Sequence, residues 1–513
     1  MLRSGIVVAF YTLLSRILGL ARELFVADLF GCGYVADSVN VALKLPNLFR
    51  RIFGEGALAS VFVPIFSKKM VSSKKEAEVF ATKIFWLLVL VLCVITLLLE
   101  FFMPEFMVLI APGFGANHEK FELSVLLCRI TSPYLVLICV SALFGGMLNS
   151  IHKFAAFAFV PVILNVVIIV GTLFLGGYLE NSVALAYSVS IGGVLQLLFM
   201  FIAMKFSDLS LIRRLNKIEG GDEDVSKLLR AMVPASISSG AAQLNIFISQ
   251  SIASFIPGAV SVLSYAERLY QFPLSIIGTA FSTVLLPNLS RLRKIGNIAE
   301  IDKMQNNATK FALFLSVPAS CGMIVLSEPI IRLIYEHGAF VSSDTEKTAM
   351  ALACFAIGLP AFILAKIFTP IFYANHDTKT PMNITLISLM ANVILNILLM
   401  QFISTSGIAL GSSIAAWYNV YLLFVASKKR GLFNLETHTK KFILGVLTCS
   451  AVLSVVAYFT WCFICNFYVC TSVLGNSIIL AVTISIAMIA YVASSLIFGV
   501  ITIDQLNYKR YRK

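Results

Sequence analysis

The sequence is poor in charge. Only 13% of its 513 residues are Asp, Glu, Lys or Arg, against about 25% in a soluble globular domain. With 59% hydrophobic residues and a mean hydropathy of +0.92, the chain reads as a polytopic membrane protein. It lacks a G-x-x-x-x-G-K-[ST] run and has no Gly-Lys dipeptide anywhere, so it offers no P-loop for ATP. The five histidines (118, 152, 337, 376 and 438) sit in connections or at helix ends without a Ser or Cys constellation beside them, which gives no support for an enzyme. Most of the ten cysteines are scattered singly along apolar runs, as small core residues are. Cys462, Cys465 and Cys470 cluster but have no His or second Cys pair at ligand spacing, so no metal site or cofactor is expected, while an outer-face disulfide stays open.

What is present is a succession of apolar segments, at roughly 4–28, 34–66, 79–103, 121–149, 154–175, 183–204, 231–256, 259–290, 304–334, 349–374, 381–402, 407–426, 442–465 and 475–503. Most are near the ~20 residues that a bilayer requires, so the expectation is an all-α protein of fourteen transmembrane helices. The net charge of +13 follows topology. Of the 39 basic residues, 26 lie in the connections on one side, whereas the other side has only Lys120 and Lys347. The positive-inside rule therefore places both termini in the cytoplasm, and no nucleic-acid partner is needed to explain the basic balance.

Within this apolar background, Asp37, Asn40, Lys44, Asn47, Arg51 and Glu55 recur at spacings of 3, 4, 3, 4 and 4, on one stripe of a helix. A charge in hydrocarbon costs about 2.5–3.5 kcal/mol on insertion scales, so the stripe reads as the wall of a water-filled cavity. The alternative is a helix lying at the membrane interface. Helix one adds Arg16, Arg22 and Glu23; a bend near Gly19 would be needed to aim both arginines one way.

The chain also matches itself at an offset of about 227: Gly31 with Gly258, Pro46 with Pro273, Pro133 with Pro360, and Asn165 with Asn392. We read two six-helix bundles of parallel topology, residues 1–218 and 219–430, followed by two additional helices in 431–513 with a basic tail. Such repeats place a site between the halves and give alternating access. The counterpart of the stripe carries Ser264, Arg268, Gln271 and Ser275, with Glu267 beside them. Counting Arg50 with the other cations, the central cavity is cationic. Arginine forks suit a phosphate or carboxylate. Glu23, Glu267 and Gln271 are secondary, orienting positions.

Three runs carry a resemblance: Ser15-Arg-Ile-Leu-Gly-Leu-Ala-Arg-Glu23, Lys44-Leu-Pro-Asn-Leu-Phe-Arg-Arg-Ile-Phe-Gly-Glu-Gly-Ala57, and Tyr265-Ala-Glu-Arg-Leu269 with Gln271-Phe-Pro273. They resemble the MurJ (MviN) family of lipid II flippases, within the multidrug, oligosaccharidyl-lipid and polysaccharide exporter superfamily. The resemblance implies an inner-membrane, non-enzymatic flippase that moves the undecaprenyl-pyrophosphate-linked peptidoglycan precursor to the outer leaflet. Membrane potential or Na+ would drive it, and a functional link to peptidoglycan polymerases is implied. Carried over position by position, the family's essential arginines fall on Arg16, Arg22, Arg50 or Arg51, and Arg268, with Asp37 and Glu55 in the motif. The last two helices would form a groove for the lipid tail. The alternatives are a flippase for another lipid-linked oligosaccharide and a cation-coupled multidrug exporter.

Overall fold

The computed structural model describes residues 2–51, 59–211, 243, 245–295, 297–467 and 472–500, with a few further positions between 225 and 232. Its described residues are helical throughout apart from turns and short connections. They divide into two compact units, Met1–Ser261 and Val262–Lys513.

The first unit contains α1 (Leu2–Phe30), α2 (Tyr34–Phe49), α3 (Ala59–Ser72), α4 (Lys74–Phe101), α5 (Met103–Ile110), α6 (His118–Thr131), α7 (Tyr134–Ser150), α8 (Ala155–Leu175) and α9 (Asn181–Lys205), with residues 245–253 also helical. α1 packs on α8, α8 on α9, α9 on α6 and α7, and α2 on α6. The second unit contains α10 (Ala259–Ile295, its first residues lying in the first unit), α11 (Ile298–Val325), α12 (Ser327–Tyr335), α13 (Ser342–Tyr373), α14 (Lys379–Lys429), α15 (Thr437–Phe467) and α16 (Val473–Ile497). α13 lies between α11 and α14, and α15 and α16 pack on each other and on α11 and α12.

Among the described residues, nine helices are long and apolar enough to cross a membrane. The segments expected at 381–402 and 407–426 are joined in α14, which breaks at Ile403 and Ser404, where Ser404 takes φ +50°. The two halves fold back on each other as an antiparallel hairpin. A Cβ on Gly407 would lie 2.3 Å from the Leu399 carbonyl oxygen and one on Gly411 2.3 Å from Asn396 Oδ1, while Ser412 donates to Asn392 Oδ1 at 3.4 Å. Here Asn392 and Asn396 serve helix packing, where small and amide side chains are favoured in membranes. Elsewhere too the polar groups of the spans are used between helices. Asn165 Nδ2 donates to the Ser15 carbonyl at 3.3 Å, Gln196 to the Val160 carbonyl at 2.7 Å, and Tyr134 to Gln196 at 3.2 Å. The outward surfaces of the spans carry exposed residues such as Leu173, Phe174 and Ile394, as lipid contact requires.

The internal repeat is visible in the backbone. α4 stops at Phe102 (φ −103°, ψ 24°) before the short α5, and α11 stops at Leu326 (φ −102°, ψ 20°) before the short α12. His152 after α7 and His376 after α13 both take positive φ, each inside the same set of three turn hydrogen bonds. Gly31 and Gly258 both have positive φ.

Candidate functional site

The stripe on α2 is graded. Asp37 is completely buried, Asn40 is buried and donates back to the Ala36 carbonyl at 2.9 Å, Lys44 and Asn47 are half-buried, and Arg51 is exposed. Glu55 lies outside the described residues. The end of the helix is shaped by Pro46, which removes a backbone donor and is followed by widened turns at Arg50 and Arg51. There Arg50 Nε donates to Asn47 Oδ1 at 3.2 Å, and Arg51 donates to Gln243 Oε1 at 3.2 Å.

The buried end of the stripe is a structural clasp and not an open wall. Asp37 Oδ2 accepts from Lys120 Nζ at 2.6 Å and from the Gly258 N–H at 2.9 Å. Its Oδ1 accepts from the Ser261 N–H and the Ser261 hydroxyl, both at 2.8 Å. Lys120 also lies 3.8 Å from the centroid of the Phe114 ring. Both charges are thus paired and hydrogen-bonded, which is what makes their burial tolerable. Gly258 must be glycine: its φ is +76°, and a Cβ would lie 2.4 Å from the Cys32 carbonyl oxygen. Asp37 therefore leaves the charge balance of the candidate site, and the remaining set is the more cationic by one unit.

α1 runs through Gly19 as one helix, with Gly19 turned toward Asn165 of α8. Arg16 is half-buried. Arg22 pairs with the adjacent Glu23 at 2.9 Å, and the two side chains are only 14% and 10% exposed. The Arg22 Nε is buried without an acceptor, so its fork is only partly used. Arg22 and Arg50, which come from different helices, both lie within electrostatic reach of the buried Tyr134 hydroxyl.

In the second unit, the corresponding stripe of α10 also begins buried at Ser264, but Arg268 is exposed while Gln271 is half-buried. Gln271 Nε2 donates to Glu267 Oε1 at 2.7 Å, which fixes the acid one turn away. At the offset of 227, Asp37 corresponds to Ser264 and Lys44 to Gln271. Among the described residues, no group of three or more His, Cys, Asp or Glu side chains is placed to hold a metal ion.

Sequence reasoning did not assign Lys120 to this network. The signal was available: Lys120 is one of only two basic residues in the connections on the sparsely charged side, and a lone cation there calls for an acid.

Residues 26–501 match the family described as lipid II flippase MurJ. A probable lipid II flippase MurJ of Rickettsia prowazekii (strain Madrid E) is 52% identical over 490 residues, covering 94% of this chain and 96% of the relative. One from Rhizobium tropici is 39% identical over 511 residues, covering 98% and 95%. Of solved structures, a lipid II flippase MurJ in an inward closed conformation superposes with a TM-score of 0.79 at 30% identity, covering 96% of this chain and 98% of that one. An inward-facing multidrug resistance MATE transporter of the MOP superfamily shares the fold, with a TM-score of 0.69 at 15% identity, 83% of this chain and 98% of that one being covered. The graded charged stripe of α2, the arginines of α1, α2 and α10, and near full-length likeness agree: the chain belongs to the lipid II flippase MurJ family.

Proposed function

We propose that this chain is a transporter that moves lipid II across the bacterial inner membrane, from the cytoplasmic to the outer leaflet, for cell-wall synthesis. The observation that carries the reading is that Arg22, whose buried Nε has no acceptor, and Arg50 come from two helices of a membrane-embedded unit and both lie within electrostatic reach of the buried Tyr134 hydroxyl. A pyrophosphate has the charge and the acceptor geometry that arginine forks match. Arg16, Arg51 and Arg268 complete the cationic set, with Lys44 as a point charge, and Glu23, Glu267 and Gln271 orient their neighbours. The two repeats correspond to residues 1–218 and 219–430, with 431–513 providing two helices for the polyprenyl tail.

The headgroup enters from the cytoplasmic side while the tail stays in lipid, and the cycle alternates access. Membrane potential, worth ~2.3 kcal/mol per charge per 100 mV, or a Na+ gradient supplies the bias. Both termini are cytoplasmic, and peptidoglycan polymerases consume the product.

The test is complementation of a strain depleted of its own lipid II flippase. Wild-type chain restores growth, whereas Arg22→Ala and Arg268→Ala accumulate in the membrane without restoring it. Full rescue by either variant removes that residue from the mechanism.

A further inference from the structure

The second unit contains a cavity of about 390 Å³ lined by Leu286 of α10, by Ala365, Lys366, Thr369, Pro370 and Tyr373 of α13, and by Thr385 and Asn419 of α14. None of the arginines above is among its lining residues. Lys366 lies inside a membrane span, seven residues before the end of α13, and among the described residues no acid acts on its ammonium. Its stem occupies the notch left by Gly278, where a Cβ would come 2.7 Å from Lys366 Cδ. Asn419, on the facing wall, has its buried Oδ1 without a donor. The cavity therefore contains an ammonium that needs an anion and an amide oxygen that needs a donor. An unpaired ammonium within a bilayer is costly and marks a ligand or a path.

The position of the opening indicates which ligand. Thr385 is exposed, and its neighbours on the same helix, Met382 and Leu386, are 53% and 42% exposed, so this flank faces lipid. Tyr373, 43% exposed, stands at the end of α13 as interfacial aromatics do. Because α14 is an antiparallel hairpin, its two termini come to one end, and that end carries the exposed Lys379, Lys428 and Lys429. Thr385 is six residues in from Lys379, or about 9 Å along a helix. A basic rim at the interface with a single cation one to two turns deeper is the arrangement that draws in an anionic headgroup and then seats its phosphate.

We propose that the Lys366 cavity binds the headgroup of an anionic phospholipid, its phosphate on the Lys366 ammonium and the Thr369 hydroxyl and a headgroup hydroxyl toward Asn419. Phosphatidylglycerol has both groups. The site is independent of the lipid II reading and stands or falls separately.

The test uses full-length purified protein, with native mass spectrometry titrations against phosphatidylglycerol and phosphatidylcholine of matched chains. Wild type should retain phosphatidylglycerol preferentially. Lys366→Met should weaken that binding about five-fold, the effect of one near-surface cation, and leave phosphatidylcholine unchanged, while Lys366→Arg stays within about two-fold of wild type. Equal phosphatidylglycerol binding by wild type and Lys366→Met overturns the proposal. So does a Lys366 dependence seen for undecaprenyl diphosphate but not for phosphatidylglycerol, which would assign the cavity to the transported lipid. If Lys366→Met does not fold, a photoreactive phosphatidylglycerol on the wild-type protein decides. Cross-links within 365–373 or 382–390 support the site, and their absence overturns it.

Discussion

Removing both partners of the clasp at Asp37 should cost less than the two single removals added together. Asp37→Ala leaves the Lys120 ammonium, 6% exposed, with only the Phe114 ring, and strips the acceptor from the Gly258 N–H, the Ser261 N–H and the Ser261 hydroxyl. Breaking a buried pair in this way costs about 3–5 kcal/mol. Lys120→Met leaves the carboxylate with its three other donors and should cost less, roughly 2–3 kcal/mol, since charged hydrogen bonds of about 1.5–3 kcal/mol each remain. In the double variant no buried charge is left unpaired. Its cost should fall short of the sum of the single changes by about 2 kcal/mol. Denaturant titration in mixed micelles, run on the wild type and three variants, measures all four corners. Additive costs would refute the claim that the two charges hold each other, and the burial of Asp37 would then have to be explained by its hydroxyl and amide donors alone.

Further expectations concern the backbone and the helix ends. Ser404→Gly should stabilise the protein by about 1 kcal/mol, because Ser404 adopts a left-handed φ of +50° that costs an L-residue ~1–2 kcal/mol; an unchanged or lower melting temperature would contradict this. Gly258→Ala should be strongly destabilising, since it adds both that strain and the clash with Cys32, and it should lower membrane accumulation as measured by immunoblot. Asp377, in the connection after α13, is held below the ordinary carboxylate range by the Thr380 N–H and hydroxyl, with Arg430 adding to this. A depressed carboxylate stabilises above its unfolded pKa, so this contribution is present at neutral pH and is lost as pH falls through the acid range. The melting temperature of Asp377→Asn should therefore lie below that of wild type at pH 7 and converge with it at low pH. Tyr491→Phe removes the 2.8 Å bond from α16 to the Phe314 carbonyl on α11 and should cost about 0.5–1.5 kcal/mol, read in the same titration.

The sequence made the helical class legible because it is written in the length and spacing of apolar runs. Gly31 and Gly258 match at a fixed offset, and both are turns with positive φ. What periodicity could not show was which way the stripe's first residue faces: Asp37 and Arg51 share a helix face, but the partners that bury Asp37 come from 120, 258 and 261, and no local spacing encodes them. The hairpin of α14 was legible as two apolar segments, and the gap between them at 403–406 contains the break at Ile403 and Ser404; Gly407 and Gly411 are what permit the close return. No local spacing marks Lys366, which lines a cavity and, among the described residues, has no acid acting on it.

The most direct test of the central claim is the accessibility of lipid II at the outer leaflet in flippase-depleted cells that express this chain, measured by cleavage with an externally added lipid II-degrading enzyme. Wild type should restore cleavage, and Arg22→Lys, which keeps the charge but loses the fork, should restore much less at equal membrane abundance. No cleavage above the depleted background with wild-type protein correctly inserted would contradict the account.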